Sequence, residues 1–344
     1  MPYFMKFMKN NGLHVSIITL PEATLSTLTG LYDVFSLFDS VVPEKQPFPF
    51  EAEFVAPAHH LVSTGSGLPF NAHKTIKEVD HTDIVIVPSL LLANNKWQTG
   101  RYPQLVTWLR NMYNQGATLC SACSGVLILA ETGLLEGGEA TLHWAYEKTF
   151  KENFPKIQLR LERVLVVSGA DQRFVMSGAS ASWHDLALYL IARYAGPAAA
   201  QNIAKYFLLQ WHADGQAPYI VFQEEKDHGD AVILKAQQWM KEHLDSDNPI
   251  GEVVLQSGLP DRSFKRRFSK ATGHSPIVYM QNLRVEAAKQ QLESGDRAVD
   301  EISYSIGYED PAFFRRLFKR TTGLTPGAYR KKFRVPLIGE NDQH

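Results

Sequence analysis

The 344-residue chain has only two cysteines, Cys120 and Cys123. That count excludes a disulfide framework, and with no paired CxxC clusters and no HExxH motif the sequence points to no metal centre. Long apolar runs are also lacking: DIVIVPSLLLA (83–93) is broken well short of the roughly 20 residues that a membrane span requires. The opening MPYFMKFMKNNG is too short for a secretory signal. An excess of charge of one sign is missing as well. Lys and Arg number 35 against 36 Asp and Glu, a net of -1, which argues against a generic polyanion coat. A cytoplasmic globular protein is expected, without membrane partner or cofactor. At 44% hydrophobic content the length suffices for two or three domains.

What is present is a repeat. Residues 264–284 (FKRRFSKATGHSPIVYMQNLR) align with 314–334 (FRRLFKRTTGLTPGAYRKKFR), with identities at Phe264/Phe314, Arg266/Arg316, Phe268/Phe318, Thr272/Thr322, Gly273/Gly323, Pro276/Pro326, Tyr279/Tyr329 and Arg284/Arg334. Upstream, EVVLQSG (252–258) pairs with EISYSIG (301–307). Each copy reads as a short apolar helix ending at Gly258 or Gly307, a tight turn, and a second helix. The i, i+4 phenylalanines of that second helix share one inward face. This is helix-turn-helix grammar. Asp310-Pro311 should open the later copy's second helix cleanly, whereas Pro260-Asp261 opens the earlier one less well.

The other face of these helices is cationic. Residues 261–284 hold Arg262, Lys265, Arg266, Arg267, Lys270 and Arg284 against one acid, Asp261; residues 311–334 hold eight Lys or Arg and no acid. A helix burying aromatics on one side and presenting Arg on the other suits the major groove of double-stranded DNA, where Arg reads guanine edges and Lys and Arg neutralise phosphates.

Residues 231–334, and above all GYEDPAFFRRLFKRTTGLTPGAYRKKFR, resemble the AraC/XylS transcription regulators. The resemblance implies an all-α domain with two helix-turn-helix units, joined by a long helix at about 276–293, whose recognition helices enter successive major grooves. It implies DNA contacts from Arg262, Lys265 and Arg266 in the first unit, and from Pro311, Ala312, Arg315 and Arg316 in the second. Lys331 is added as a phosphate contact. Val254 departs from the small residue usual at the first unit's helix crossing, where Ser303 keeps one in the second; Pro260 departs from the usual capping Ser.

The front of the chain has a different pattern. Residues 13–20, 50–56, 83–88 and 117–122 are short β-rich runs, separated by helical segments such as 26–38 and 102–114. Continuous apolar strands alternating with helices predict a doubly wound parallel α/β sheet. The junction ATLCSACSGVLILAETGLL places Cys123 at a strand-to-helix turn, where a nucleophile elbow would sit. Cys120 falls within the strand, as a buried residue rather than half of a redox pair.

ACSGVLILAETGLLEGGEATLHW (122–144) and MSGASASWHDLALYLIARYAG (176–196) resemble the ThiJ/PfpI, class I glutamine-amidotransferase-like superfamily. They come closest to its branch fused to an AraC-type tail, the GlxA-type regulators. The resemblance implies a flavodoxin-like, amidotransferase-like fold, a nitrogen-containing effector such as an amino acid or quaternary amine, homodimers assembled through this domain, and RNA polymerase as a partner. The superfamily's enzymes follow the elbow cysteine with His and place an acid near the end of the first strand. Here Ser124 and Thr27 occupy those places, so no catalytic residue is assigned, although His143 or His184 could still supply a base through space.

The expected organisation is a ligand-sensing and dimerisation domain at 11–222, a polar linker QEEKDHGD at 223–230, and the DNA-binding domain at 231–334. The crevice at the carboxyl ends of the strands gives the candidate ligand lining: Thr24, Thr27, Ser89, Leu90, Cys123, Ser124 and His143. The chain thus reads as a DNA-binding transcription regulator controlled by a small metabolite. The rival reading is a thiol-dependent hydrolase or glyoxalase-type enzyme using Cys123 and tethered to DNA.

Overall fold

The structure is a computed structural model that describes residues 12–42, 50–169 and 171–334; residue 11, where the first domain was expected to start, lies outside them. The chain divides into two compact units, residues 1–216 and 217–344.

The first unit is built on a seven-stranded sheet: β1 (Leu13–Ile18), β2 (Phe50–Ala56), β3 (Lys74–Thr75), β4 (Ile84–Val87), β5 (Thr118–Ala122), β6 (Leu165–Ser168) and β7 (Phe174–Ser177). Their spatial order is β6-β7-β5-β4-β1-β2-β3. All neighbours pair in parallel except β6 with β7. The four expected strands form within two or three residues of their predicted ends, because each is a short β-rich run with a mostly buried side. Val15, Ile17, Ile18, all of β4, and Leu119 and Cys120 are fully buried, as parallel strands covered on both faces must be. The β6–β7 hairpin was not foreseen; it turns at Gly169, whose φ of 86° is open to glycine.

The main helices of this unit are α1 (Leu25–Ser36), α2 (Pro103–Asn114), α3 (Val126–Glu131), α4 (Trp183–Ala195) and α5 (Pro197–Tyr206). The chain leaves β1 to build β2 and β3 on one side and returns to β4 on the other. The sheet's topological switch point therefore lies between β1 and β4, where ligands of open α/β sheets bind.

The second unit is helical: α6 (Ala231–Glu242), α7 (Pro249–Ser257), α8 (Asp261–Thr272), α9 (Pro276–Ser294), α10 (Val299–Ser305), α11 (Pro311–Thr322) and α12 (Pro326–Phe333). It holds two small cores, one around Phe264, Phe268 and Tyr279, the other around Phe314, Phe318 and Tyr329.

The division falls after Gln216, so residues 223–230, expected as a linker, lie within the helical unit. The reason is that their polar groups find partners there. The Glu224 carboxylate accepts from Lys241 at 2.8 Å and from the Tyr279 hydroxyl at 3.0 Å. Gln237 donates to the Glu225 carbonyl at 2.9 Å. Asp230 caps α6 by accepting from the amides of Val232 and Ile233. Phe222, just upstream, lies edge-on to Tyr279 with ring centres 5.1 Å apart.

Candidate functional site

In the helical unit the repeat is reproduced bond for bond. Thr272 and Thr322 each donate to the carbonyl four residues back, Phe268 or Phe318, at 2.9 Å, closing α8 and α11. Gly273 and Gly323 then turn the chain at φ of 74° and 79°. Ser275 and Thr325 cap the helices that follow. Tyr279 stands edge-on to Phe268 at 5.2 Å and 84°, Tyr329 to Phe318 at 5.4 Å and 87°. The apolar stripe that points inward leaves the opposite face of α8 and α11 in solvent.

Arg262, Lys265 and Arg266 are exposed on α8; Ala312, Arg315 and Arg316 are exposed on α11, with Pro311 half-buried at its start and Lys331 exposed on α12. Asp310 caps α11 by accepting from the Ala312 amide at 2.8 Å, while Pro260 gives α8 no side-chain cap. Several of these cations have acidic neighbours: Lys265 lies 2.9 Å from Asp261, Arg315 pairs with Asp300, and Arg316 is 3.8 Å from Asp310. All are exposed pairs of the kind that contribute little to stability and separate readily before a phosphate.

Not every cation counted in the sequence faces outward. Arg267 is exposed but forks onto the Asp230 cap, which holds that carboxyl below its ordinary range. Arg284 is buried, donating to the carbonyls of Leu244 and Ser246 at 2.8 Å each. Lys289 is buried as well, donating to the Ile220 carbonyl at 2.6 Å and to Glu286 at 2.7 Å. Residues 219–225 thereby lie as a strap over the unit. Tyr219 meets Phe333 at 5.0 Å beside the second core, and Phe222 meets Tyr279 in the first. Helix periodicity carried no signal for this strap, because its contacts are made by an irregular segment.

In the first unit Cys123 follows β5 at φ of 53°, a strained left-handed conformation for a side-chain-bearing residue. A Cβ on Gly125 would lie 2.5 Å from the Val87 carbonyl oxygen, so only glycine lets the elbow approach β4. The elbow foreseen from the sequence is formed, but it is packed shut: Thr27, Ser89, Leu90, Cys123 and Ser124 are each at most 1% exposed. The Ser124 hydroxyl donates to the Leu90 carbonyl and accepts from the Leu90 amide, both at 2.7 Å. The Thr24 amide donates to the Ser89 carbonyl at 2.9 Å, joining the loops after β1 and β4 across the switch point. Thr24 and Thr27 hydroxyls lie 2.8 Å apart. The groups at the thiol are Ser180, which donates to the sulfur at 3.6 Å and lies 2.9 Å from Ser89, and Tyr146. Burial first, then the field of a Cys123 thiolate, push the Tyr146 phenol above its ordinary value. Neither Ser180 nor Tyr146 was anticipated, since through-space neighbours leave no spacing signature.

The two histidines considered as bases are engaged elsewhere. His143 accepts from the Ala145 amide at 3.2 Å as a helix cap, and burial lowers its pKa. His184 bonds the Gln210 carbonyl at 2.9 Å. Burial raises the Cys120 thiol far above its ordinary value, which suits a core residue and not a redox partner. Open space at the same sheet edge is found next to β1 and β2. A cleft of about 450 Å³ is walled by Pro21, Pro57, Leu61, Val62, Arg101 and Tyr102. Glu22 accepts from both Arg101 and Tyr102.

Comparison with known proteins agrees with this geometry. The model of the DJ-1/PfpI family matches residues 3–182, and a helix-turn-helix domain model matches residues 254–332. The HTH-type transcriptional regulator CdhR of Pseudomonas aeruginosa is 27% identical over 272 residues, covering 78% of each chain. The HTH-type transcriptional regulator GlxA of Rhizobium meliloti is 25% identical over 227 residues, covering 66% of this chain and 69% of its own. The MmsAB operon regulatory protein of Pseudomonas aeruginosa is 34% identical over 96 residues, 28% of this chain and 31% of its own. With a thiol elbow on a switch-point sheet in front and a duplicated helix-turn-helix behind, the chain belongs to the DJ-1/PfpI family, in its form that carries an AraC-type DNA-binding domain.

Proposed function

We propose that the chain is a sequence-specific, double-stranded DNA-binding transcription regulator whose DJ-1/PfpI-type unit senses a small molecule and performs no catalysis. The observation that carries this is the duplicated unit, with its exposed Arg262, Lys265, Arg266, Arg315 and Arg316 on the faces opposite two matched aromatic cores. Lys331 serves a phosphate. The sensor reading is supported by the elbow: its thiol has no histidine hydrogen-bonded to it among the described residues, and Ser124 is consumed in bonding Leu90. A nucleophile needs an oriented base, the role that such a histidine would fill.

The effector class that fits the open cleft is a small zwitterion, an amino acid or a quaternary amine carrying a carboxylate. Its carboxylate would take the place of Glu22 on Arg101, and its ammonium would face the released Glu22 carboxylate. Such a ligand would widen or close the cleft beside the Thr24–Ser89 bridge. A homodimer working with RNA polymerase in the cytoplasm completes the reading, and no helix among the described residues is long and apolar enough to cross a membrane. Fluorescence anisotropy on promoter fragments tests the first claim. The wild type should bind one fragment at least ~10³-fold above random DNA, and Arg316→Ala should cost ~1–3 kcal/mol and relax preference at one base pair. Binding to all fragments alike would overturn it. A thermal-shift panel of amino acids and betaines, with Arg101→Ala as control, tests the second.

A further inference from the structure

The start of α4 and the segment after α5 bring together three side chains that the regulator reading does not use. The Asp185 carboxylate is fully buried. One of its oxygens accepts from the His212 amide at 2.9 Å; the other lies 2.7 Å from His212 Nδ1 and 3.6 Å from His184 Nε2. That same His184 nitrogen is 2.9 Å from the Gln210 carbonyl oxygen. The two imidazole rings stand 5.0 Å apart at 34°, and one ligating atom from each of the three residues lies within 4.8 Å of the others.

We propose that His184, Asp185 and His212 form a binding site for a divalent transition metal, zinc fitting best, with the Gln210 carbonyl as a further donor. A carboxylate withdrawn from water needs a positive partner at hand. Two imidazoles, a carboxylate and a peptide oxygen suit a borderline ion, whereas magnesium and calcium favour oxygen-only sets. Tetrahedral bonds of ~2.0–2.1 Å space ligand atoms by roughly 3.3 Å. The 2.7 and 3.6 Å separations bracket that spacing and no pair of ligand atoms is more than 4.8 Å apart, so small rotations of the two imidazoles admit the ion.

Protons hold the cluster together without a metal. A carbonyl oxygen only accepts, so His184 carries its proton on Nε2, and His212 donates from Nδ1 to the carboxylate. A cation between them takes the place of both inward protons, each ring shifting its proton to the outer nitrogen. His184 and His212 side chains are 14% and 26% exposed, which leaves an entry path. Loading would fasten residues 210–212 to α4, a few residues before the second unit begins at Ala217.

The test uses the full chain, stripped with chelator after removal of any affinity tag, and titrated with zinc against a chromophoric competitor and with cobalt by visible absorption. One zinc per chain is expected, a cobalt spectrum free of thiolate charge-transfer bands, and a zinc-induced rise in melting temperature. His184→Gln and His212→Gln should each weaken zinc binding by at least ~100-fold and abolish the melting shift. Both replace partly exposed side chains, so they remain informative if Asp185→Asn fails to fold. Wild-type protein that takes up no zinc, or a double His variant that retains it, would overturn the site.

Discussion

The guanidinium of Arg284 lies 4.9 Å from the centre of the Tyr308 ring, a contact that helps tie the two helix-turn-helix units together. Arg284 is on α9, the helix that joins them, and its other bonds run to the carbonyls of Leu244 and Ser246 beside the first unit. Gly307, at the turn of the second, has φ of 81°, and a Cβ there would stand 2.5 Å from Arg284 Nη2. Arg284→Ala should therefore destabilise the helical unit by ~2–4 kcal/mol, from buried carbonyls losing charged donors. Operator affinity should fall while the salt slope stays unchanged, because no phosphate contact is removed. Arg284→Lys should rescue little, since an ammonium cannot fork to two carbonyls and stack. A melting temperature and salt dependence equal to wild type would refute this.

Arg284 also marks where the sequence was legible and where it was not. As the repeat partner of Arg334 it reads as one more surface cation; in the structure Arg334 pairs with Asp296 at the surface and Arg284 is internal. Matched positions in a duplication share backbone geometry, but burial depends on what packs against each copy. The strands could be read because apolar patterning is local information, and β2 runs from Phe50 to Ala56 as expected; the start of α9 at Pro276 agrees with what the family resemblance implied. The elbow at Cys123 was legible for the same reason. Its closure was not, because it rests on Ser124 reaching Leu90 across 34 residues. Residues 223–230 look like a hinge by composition, yet Glu224 and Asp230 have partners that no spacing rule anticipates.

Ser124 locks the loop after β4 by satisfying both the amide and the carbonyl of Leu90. Ser124→Ala should cost ~1–3 kcal/mol, as two buried backbone groups lose their partner. Urea unfolding of the first unit should show a lower midpoint at unchanged slope. No stability loss would mean that water replaces the hydroxyl and that the elbow is wetter than its burial indicates.

Asp230 gives a pH-dependent outcome. Arg267 is the main cause of its lowered pKa, followed by the two amides that it caps. A carboxyl depressed in the folded chain adds stability that is fully present above its unfolded value near 3.9 and is lost as pH falls through the folded value. Asp230→Asn keeps an oxygen for the cap and loses only the charge, so it should cost less than Asp230→Ala, for which ~0.5–2 kcal/mol is expected. The gap between wild type and Asp230→Asn should be constant above about pH 5 and shrink below about pH 4. Melts recorded from pH 7 to pH 3 would show it, and a gap that widens on acidification would contradict the assignment.

Lys289 tests whether the strap transmits anything. Its side chain is 6% exposed and its ammonium holds the Ile220 carbonyl, while Tyr219 and Phe222 rest on opposite cores of the helical unit. Lys289→Met preserves the length and apolar stem of the side chain and removes the donor, so the unit should keep its fold while residues 219–225 come loose. Protease cleavage in that stretch should speed up at least ~10-fold, since the population of the open segment rises with each 1.4 kcal/mol lost from its docking. Operator affinity without ligand should change less than threefold, because Lys289 lies on neither recognition helix. If the proposed effector acts through the strap, the ligand-induced change in that affinity should shrink. Cleavage at the wild-type rate would show that the aromatic contacts alone hold the strap and that the lysine is dispensable to it.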